Sequence, residues 1–219
     1  MKKKFWGMFL CLLILLSGTA SVSAAEKKQV RAAKCMDPFV HLVLNQARMK
    51  VSGSQDAALY KAAVKKIYKG KLTKQQKAVI AAWNTNGYKK LSGSDFVTKI
   101  SLSKVKTSYK RLFGTTPKAL SLPKVKNPRQ EVGYVMNVAM KGSKVYMLTY
   151  DSESDMDVKQ VSVKKSGSSW IVTRKYSYYS HWGRKANGLA PTVTMTARIT
   201  VKKCSKSSLG YKITGVTLK

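Results

Sequence analysis

Groups able to do acid–base, nucleophilic or metal chemistry are scarce in this chain, so the places where they gather carry weight. There are 2 histidines, 3 cysteines and 9 acids against 42 lysines and arginines. His41 falls within an apolar row at helical spacing and reads as an ordinary helix residue. His181 has a richer setting. Tyr176, Tyr178 and Tyr179 precede it, and Trp182, Gly183, Arg184 and Lys185 follow. Aromatic rings, an imidazole and two cations in one loop suit a sugar or a phosphate. Tyr178, His181, Trp182, Arg184 and Lys185 are therefore the candidate ligand-binding residues. The plain alternative is that these aromatics are sheet core and cross-strand pairs.

The second gathering is acidic. Asp151, Glu153, Asp155 and Asp157 place four of the 9 acids within seven residues. The spacing loosely follows a calcium loop. However, Met156 stands where the sharp-turn glycine belongs, and Ser162 where the bidentate glutamate belongs, so no metal is assigned. A loop that pairs with lysines, on its own surface or on a second copy, is the other reading. No G-x-S-x-G, H-E-x-x-H or P-loop pattern occurs. The chain reads as non-enzymatic and without a cofactor. Catalysis would require Asp95, Glu131 or His181 to converge in a pocket with a perturbed pKa.

Charge dominates the remaining signal. Over 219 residues the formal net charge is +33. A surface of that kind repels itself and gathers polyanions. Only Arg31, Arg48, Arg111, Arg129, Arg174, Arg184 and Arg198 are arginines; every other basic residue is a lysine. Lysine is a flexible point charge and lacks the planar fork that reads phosphates and bases bidentately. The composition thus predicts diffuse affinity for anionic cell-wall polymer or a membrane surface, and only non-specific contact with nucleic acid. The competing reading is that the charge serves solubility alone.

Residues 1–24 have the form of a secretory signal peptide: Lys2–Lys4, an apolar run from Phe9 to Leu16, then Val22-Ser23-Ala24. The expected location is therefore secreted or associated with the cell envelope. Cys35 and Cys204 lie outside that segment, and an exported domain can join such a pair as a disulfide or leave two thiols.

These groups need elements to position them. Residues 25–53 read as a charged, mobile leader with a short helix from Pro38. A single α+β domain follows over 54–219. Its helical part spans 54–114: Ala57–Lys69, capped by Ser54 or Asp56 and closed by Gly70; a helix opened by the Thr73/Gln76 capping box; and one opened by Ser101 and closed by Gly114. The Pro-rich link 115–130 leads to an antiparallel sheet over 131–219. Val132 to Ser180 reads as four consecutive strands, and two more follow from Pro191 and Tyr211. The fold class is α+β, with N-terminal helices packed on a curved antiparallel sheet of about six strands.

The segment FVTKISLSKVKTSYKRLFG, the Pro-rich link, the hairpins and the closing GYKITGVTL resemble secreted proteins of Gram-positive bacteria with an NTF2-like, or cystatin-like, roll. The likeness spans residues 54–219. It is one of element order and texture, and it transfers no site residue. It implies a roll that serves as a binding or scaffold domain as readily as an enzyme. The leading functional expectation is an exported, non-enzymatic domain held to anionic envelope polymers or lipid head groups by electrostatics. The alternative is a pocket-type module that binds a small ligand or a protein.

Overall fold

A computed structural model describes residues 24–87, 89–93, 96–132, 137–148 and 154–219. The expected signal segment lies outside them apart from Ala24. So do Asp95, Tyr134, Met136, Asp151 and Glu153.

The helical part begins earlier than the sequence predicts. The supposed leader is helix α1, Ala24–Lys34. Its side chains Gln29, Ala32 and Ala33 are fully buried, and it packs on the sheet. Its charge suggested solvation, but Ala32 and Ala33 are small enough to let the backbone lie close against strands, while Lys27 and Lys28 face water. Helix α2, Asp37–Lys50, starts at Pro38 as expected and carries a broad apolar face. Phe39, Val40, Leu42, Val43, Leu44 and Ala47 are all buried, as befits a central helix.

Asp56, not Ser54, caps α3, Ala57–Ile67, by accepting from the Ala58 N–H. The helix stops short of Gly70. Tyr68 leaves it in an extended conformation, donates its hydroxyl to the Val216 carbonyl at 2.8 Å and packs edge-on to Phe39. Burial of that ring outweighs two more residues of helix. Helix α4, Lys74–Trp83, carries the full capping box of Thr73 and Gln76. Strands β1, Lys89–Lys90, and β2, Val97–Ser101, precede α5, Leu102–Phe113, which Ser101 caps and Gly114 closes with a φ of 75°. A short turn of helix, α6, spans Pro128–Glu131.

The strands form two sheets in place of one. Strands β3, Val138–Lys141, and β4, Lys144–Leu148, join β1 and β2 in the order β1-β2-β4-β3. Strands β5, Asp155–Ser166, β6, Ser169–Tyr179, β7, Val193–Lys203, and β8, Tyr211–Leu218, form an antiparallel meander in chain order. A five-residue helix, α7, Trp182–Ala186, sits between β6 and β7. The four-strand run expected over 132–180 therefore splits. Strand β4 pairs with β2, Ile100 against Val145, across the intervening α5. Periodicity marks strands but leaves their partners open.

One core joins the helices to both sheets, with Ile100, Val145 and Met147 beside Val172, Tyr176 and Ile199. Val97, Val125, Val132 and Ala139 form a smaller cluster on the other face of the first sheet. Two bulges adjust the second sheet. A shift between Gln160 and Ser162 turns Val161 out to 56% exposure, while Val158 and Val163 pack inward. Another, at Thr214, places Ile213 and Val216 in the core, where strict alternation had put Ile213 with Gly215 and Thr217. Among the described residues, no helix is long and apolar enough to cross a membrane.

Candidate functional site

The predicted loop is tied to neighbouring elements through its polar groups. Tyr178, on the inner face of β6, is fully buried and donates its hydroxyl to Asn45 Oδ1 at 2.7 Å. Its ring lies 5.9 Å from Tyr60 and 6.1 Å from His41. Burial pushes the Tyr178 phenol up to about 12. The same Asn45 oxygen accepts from Ser154 Oγ at 2.6 Å, and His41 Nε2 lies 3.2 Å from that serine oxygen. With the serine proton directed to Asn45, Ser154 Oγ can accept from the imidazole in the tautomer that carries its proton on Nε2.

His181 is exposed and stands at the N-cap of α7. Trp182 opens that helix. The Arg184 guanidinium is engaged on both sides: Nε and Nη2 donate to the Ala190 carbonyl, and Nη1 donates to Gln55 Oε1 at 3.0 Å. Lys185 reaches Asp157 at 2.6 Å and Asp155 at 3.0 Å. Those two carboxylates raise its pKa above the ordinary lysine value. Burial works against the charged form of Asp155, but the Lys185 ammonium and the Met156 N–H prevail and hold its carboxyl below the usual range. The described half of the acidic cluster thus lies on a strand and pairs with a lysine. Glu131 accepts from the Asn127 N–H within α6. Cys35 follows α1 and Cys204 follows β7, and each is a half-buried free thiol. Burial raises the Cys35 thiol above its ordinary pKa.

What the structure assembles, and periodicity alone did not, is the outer face of β5–β8. Registry places residues side by side in rows: Lys159, Lys175 and Thr196; Ser162, Thr173, Arg198 and Thr217; Lys164, Ile171 and Thr200; Ser166, Ser169, Lys202 and Lys212. The opposite face is the core. Lys159, Lys164, Lys175, Arg198 and Lys202 are all exposed. Strands lie ~4.8 Å apart and same-face residues ~6.7 Å apart, so Lys159, Lys175, Arg198 and Lys202 form a diagonal track on the order of 20 Å long. Hydroxyls fill most positions between the cations. Lys159 faces Lys175, and Lys202 faces Lys212. Like charges directly opposite each other are destabilising, and a bound anion relieves that repulsion.

Among the described residues, the carboxylates nearest this face already have cationic partners. Asp157 sits at its corner in the grip of Lys185. Asp37 lies on the inner side, where it accepts from Arg174 Nε at 2.9 Å and from the Tyr176 hydroxyl at 2.8 Å. The sequence carried one signal for this buried group: Arg174 occupies a core-facing step of an otherwise apolar alternation, and a buried cation needs a partner.

Comparison of the chain with protein-family models, with curated proteins and with solved structures finds no match.

Proposed function

We propose that this chain is an exported, non-enzymatic domain that associates with anionic cell-envelope polymers or lipid head groups by electrostatics. The outer face of β5–β8 would serve as its contact surface. The observation that carries this reading is the continuity of the charge: five exposed cations on three adjacent strands, with the described neighbouring carboxylates already paired with Lys185 and Arg174. Of the described aromatic residues in β5–β8, Tyr176 and Tyr178 are buried, Trp170 and Tyr211 pack against the core, and Tyr179 alone shares the outer face, at its edge beside Asp157. A face with a single ring, set at its edge, suits a polyanion backbone better than nucleobases, which proteins hold by stacking. As for architecture, the long β5–β8 meander with helices against its inner side supports an NTF2-like roll for this half.

Retention on an immobilised linear phosphodiester polymer provides the test. It should fall steeply between about 50 and 500 mM salt, because exposed charges are screened beyond about 10 Å at 0.1 M. The triple variant Lys159→Gln, Lys175→Gln, Lys202→Gln should elute at markedly lower salt. Retention indifferent to both salt and these substitutions would leave the charge with a solubility role only.

A further inference from the structure

A second cationic feature lies away from the sheet face and has a different shape. A cleft of about 420 Å³ opens between the end of α4, one side of α5 and the turn after β7. Lys104, Lys110, Arg111 and Lys206 line it, together with Asn84 and Ser208. None of its lining residues is acidic. Three separate segments thus bring four positive charges to one concavity, where low-dielectric walls focus the field. The size falls within the ordinary range for small-ligand sites, about 300–1,000 Å³.

Arg111 gives the cleft a fixed donor. Its Nη2 donates to the Asn84 carbonyl, and its own carbonyl accepts from Ser207 Oγ. The guanidinium is therefore held at one nitrogen by the Asn84 carbonyl, while Ser207 fixes the Arg111 main chain. Its Nε is buried and has no hydrogen-bond partner among the described residues. A buried donor without an acceptor is costly, so this side of the guanidinium is not fully satisfied by the protein itself. Lys104 adds a second, exposed charge to the same cleft, with its ammonium 3.1 Å from where a Cβ on Gly87 would stand. A single monovalent carboxylate would leave most of this charge uncompensated. A compact, multiply charged phosphate answers both the charge and the planar fork.

From the cleft and the four cations that line it we infer a discrete site for a small phosphate-bearing anion, of the class of pyrophosphate or a phosphate monoester, separate from the polymer face. The test is calorimetric titration of the whole domain with inorganic pyrophosphate at low salt. One site per chain is expected. Lys104→Gln with Lys206→Gln should weaken binding by about tenfold or more, as expected when charge-assisted contacts are lost. Arg111→Lys should weaken it as well, because an ammonium lacks the fork. Since Arg111 also anchors Asn84, the two exposed lysines serve as the variant that does not endanger folding, with circular dichroism as the control. The sheet variant Lys159→Gln, Lys175→Gln, Lys202→Gln should bind pyrophosphate as the parent does while losing retention on the polymer. Heats that are unaltered by the cleft lysines, or that are lowered as much by the sheet variant, would overturn the site. The polymer reading would survive that result, because it stands on the other set of residues.

Discussion

At the scale of single residues, the buried pair of Arg174 and Asp37 sets the largest expected effects. The Arg174 side chain is 4% exposed and that of Asp37 24%. Removing the carboxylate leaves a buried guanidinium and the Tyr176 hydroxyl without their acceptor. Asp37→Ala should therefore cost about 3 kcal/mol or more, whereas replacing the arginine by an apolar side chain of similar length should cost less. Urea unfolding of the two variants checks the asymmetry; equal losses would contradict it. His41 sets a pH dependence. Burial lowers its pKa from the ordinary 6.5, against a smaller opposing pull from Asp155. The unfolded chain thus takes up a proton as pH falls through about 6.5, while the folded chain resists until lower pH. This contribution to stability is complete above that value and is lost on acidification through the folded pKa. Melting temperature should decline between about pH 7 and 5, and His41→Gln should flatten the decline. The Asp155 contribution has its own window, because its folded pKa lies below the ordinary 3.8 and its loss begins only under about pH 4.

At the scale of elements, the second sheet offers a trade between stability and contact. Lys175 sits directly opposite Lys159. Lys175→Glu replaces a repulsive cross-strand pair with an attractive one, worth about 0.2–1 kcal/mol. The variant should melt higher and yet hold an anionic polymer less well. A variant that gained stability without losing retention would separate the lysine row from binding. Strand β5 is also an edge strand, and its lysines together with the bulge after Gln160 discourage pairing with a second copy. Most element ends could be read locally. Thr73 with Gln76, Ser101 and Gly114 did what their types predict. Helix α1 could not be read in this way. Among lysines, Ala32 and Ala33 gave no apolar stripe, and only the sheet they rest on makes them core.

At the scale of the whole molecule, the surplus of 33 positive charges acts on folding as well as on binding. Like charges crowd together when the chain compacts, so added salt should stabilise the native state by screening them. Melting temperature should rise as sodium chloride goes from about 20 to 300 mM, a range over which the Debye length shortens severalfold. A fall over that range would mean that favourable ion pairs outweigh the repulsion.

Charge excess, the alternation of strands and the caps of helices were set by the sequence alone, because each depends on a residue and its neighbours within a turn or two. The choice of β2 as partner for β4, the split into two sheets and the assembly of lysines from separate strands into one face were decided only in the tertiary structure. Hydrogen-bonded registry joins residues far apart in the chain, and no local pattern records it. The same reason explains why Arg184 and Lys185, which looked like open cations in their loop, proved to be held by Gln55, Ala190, Asp155 and Asp157.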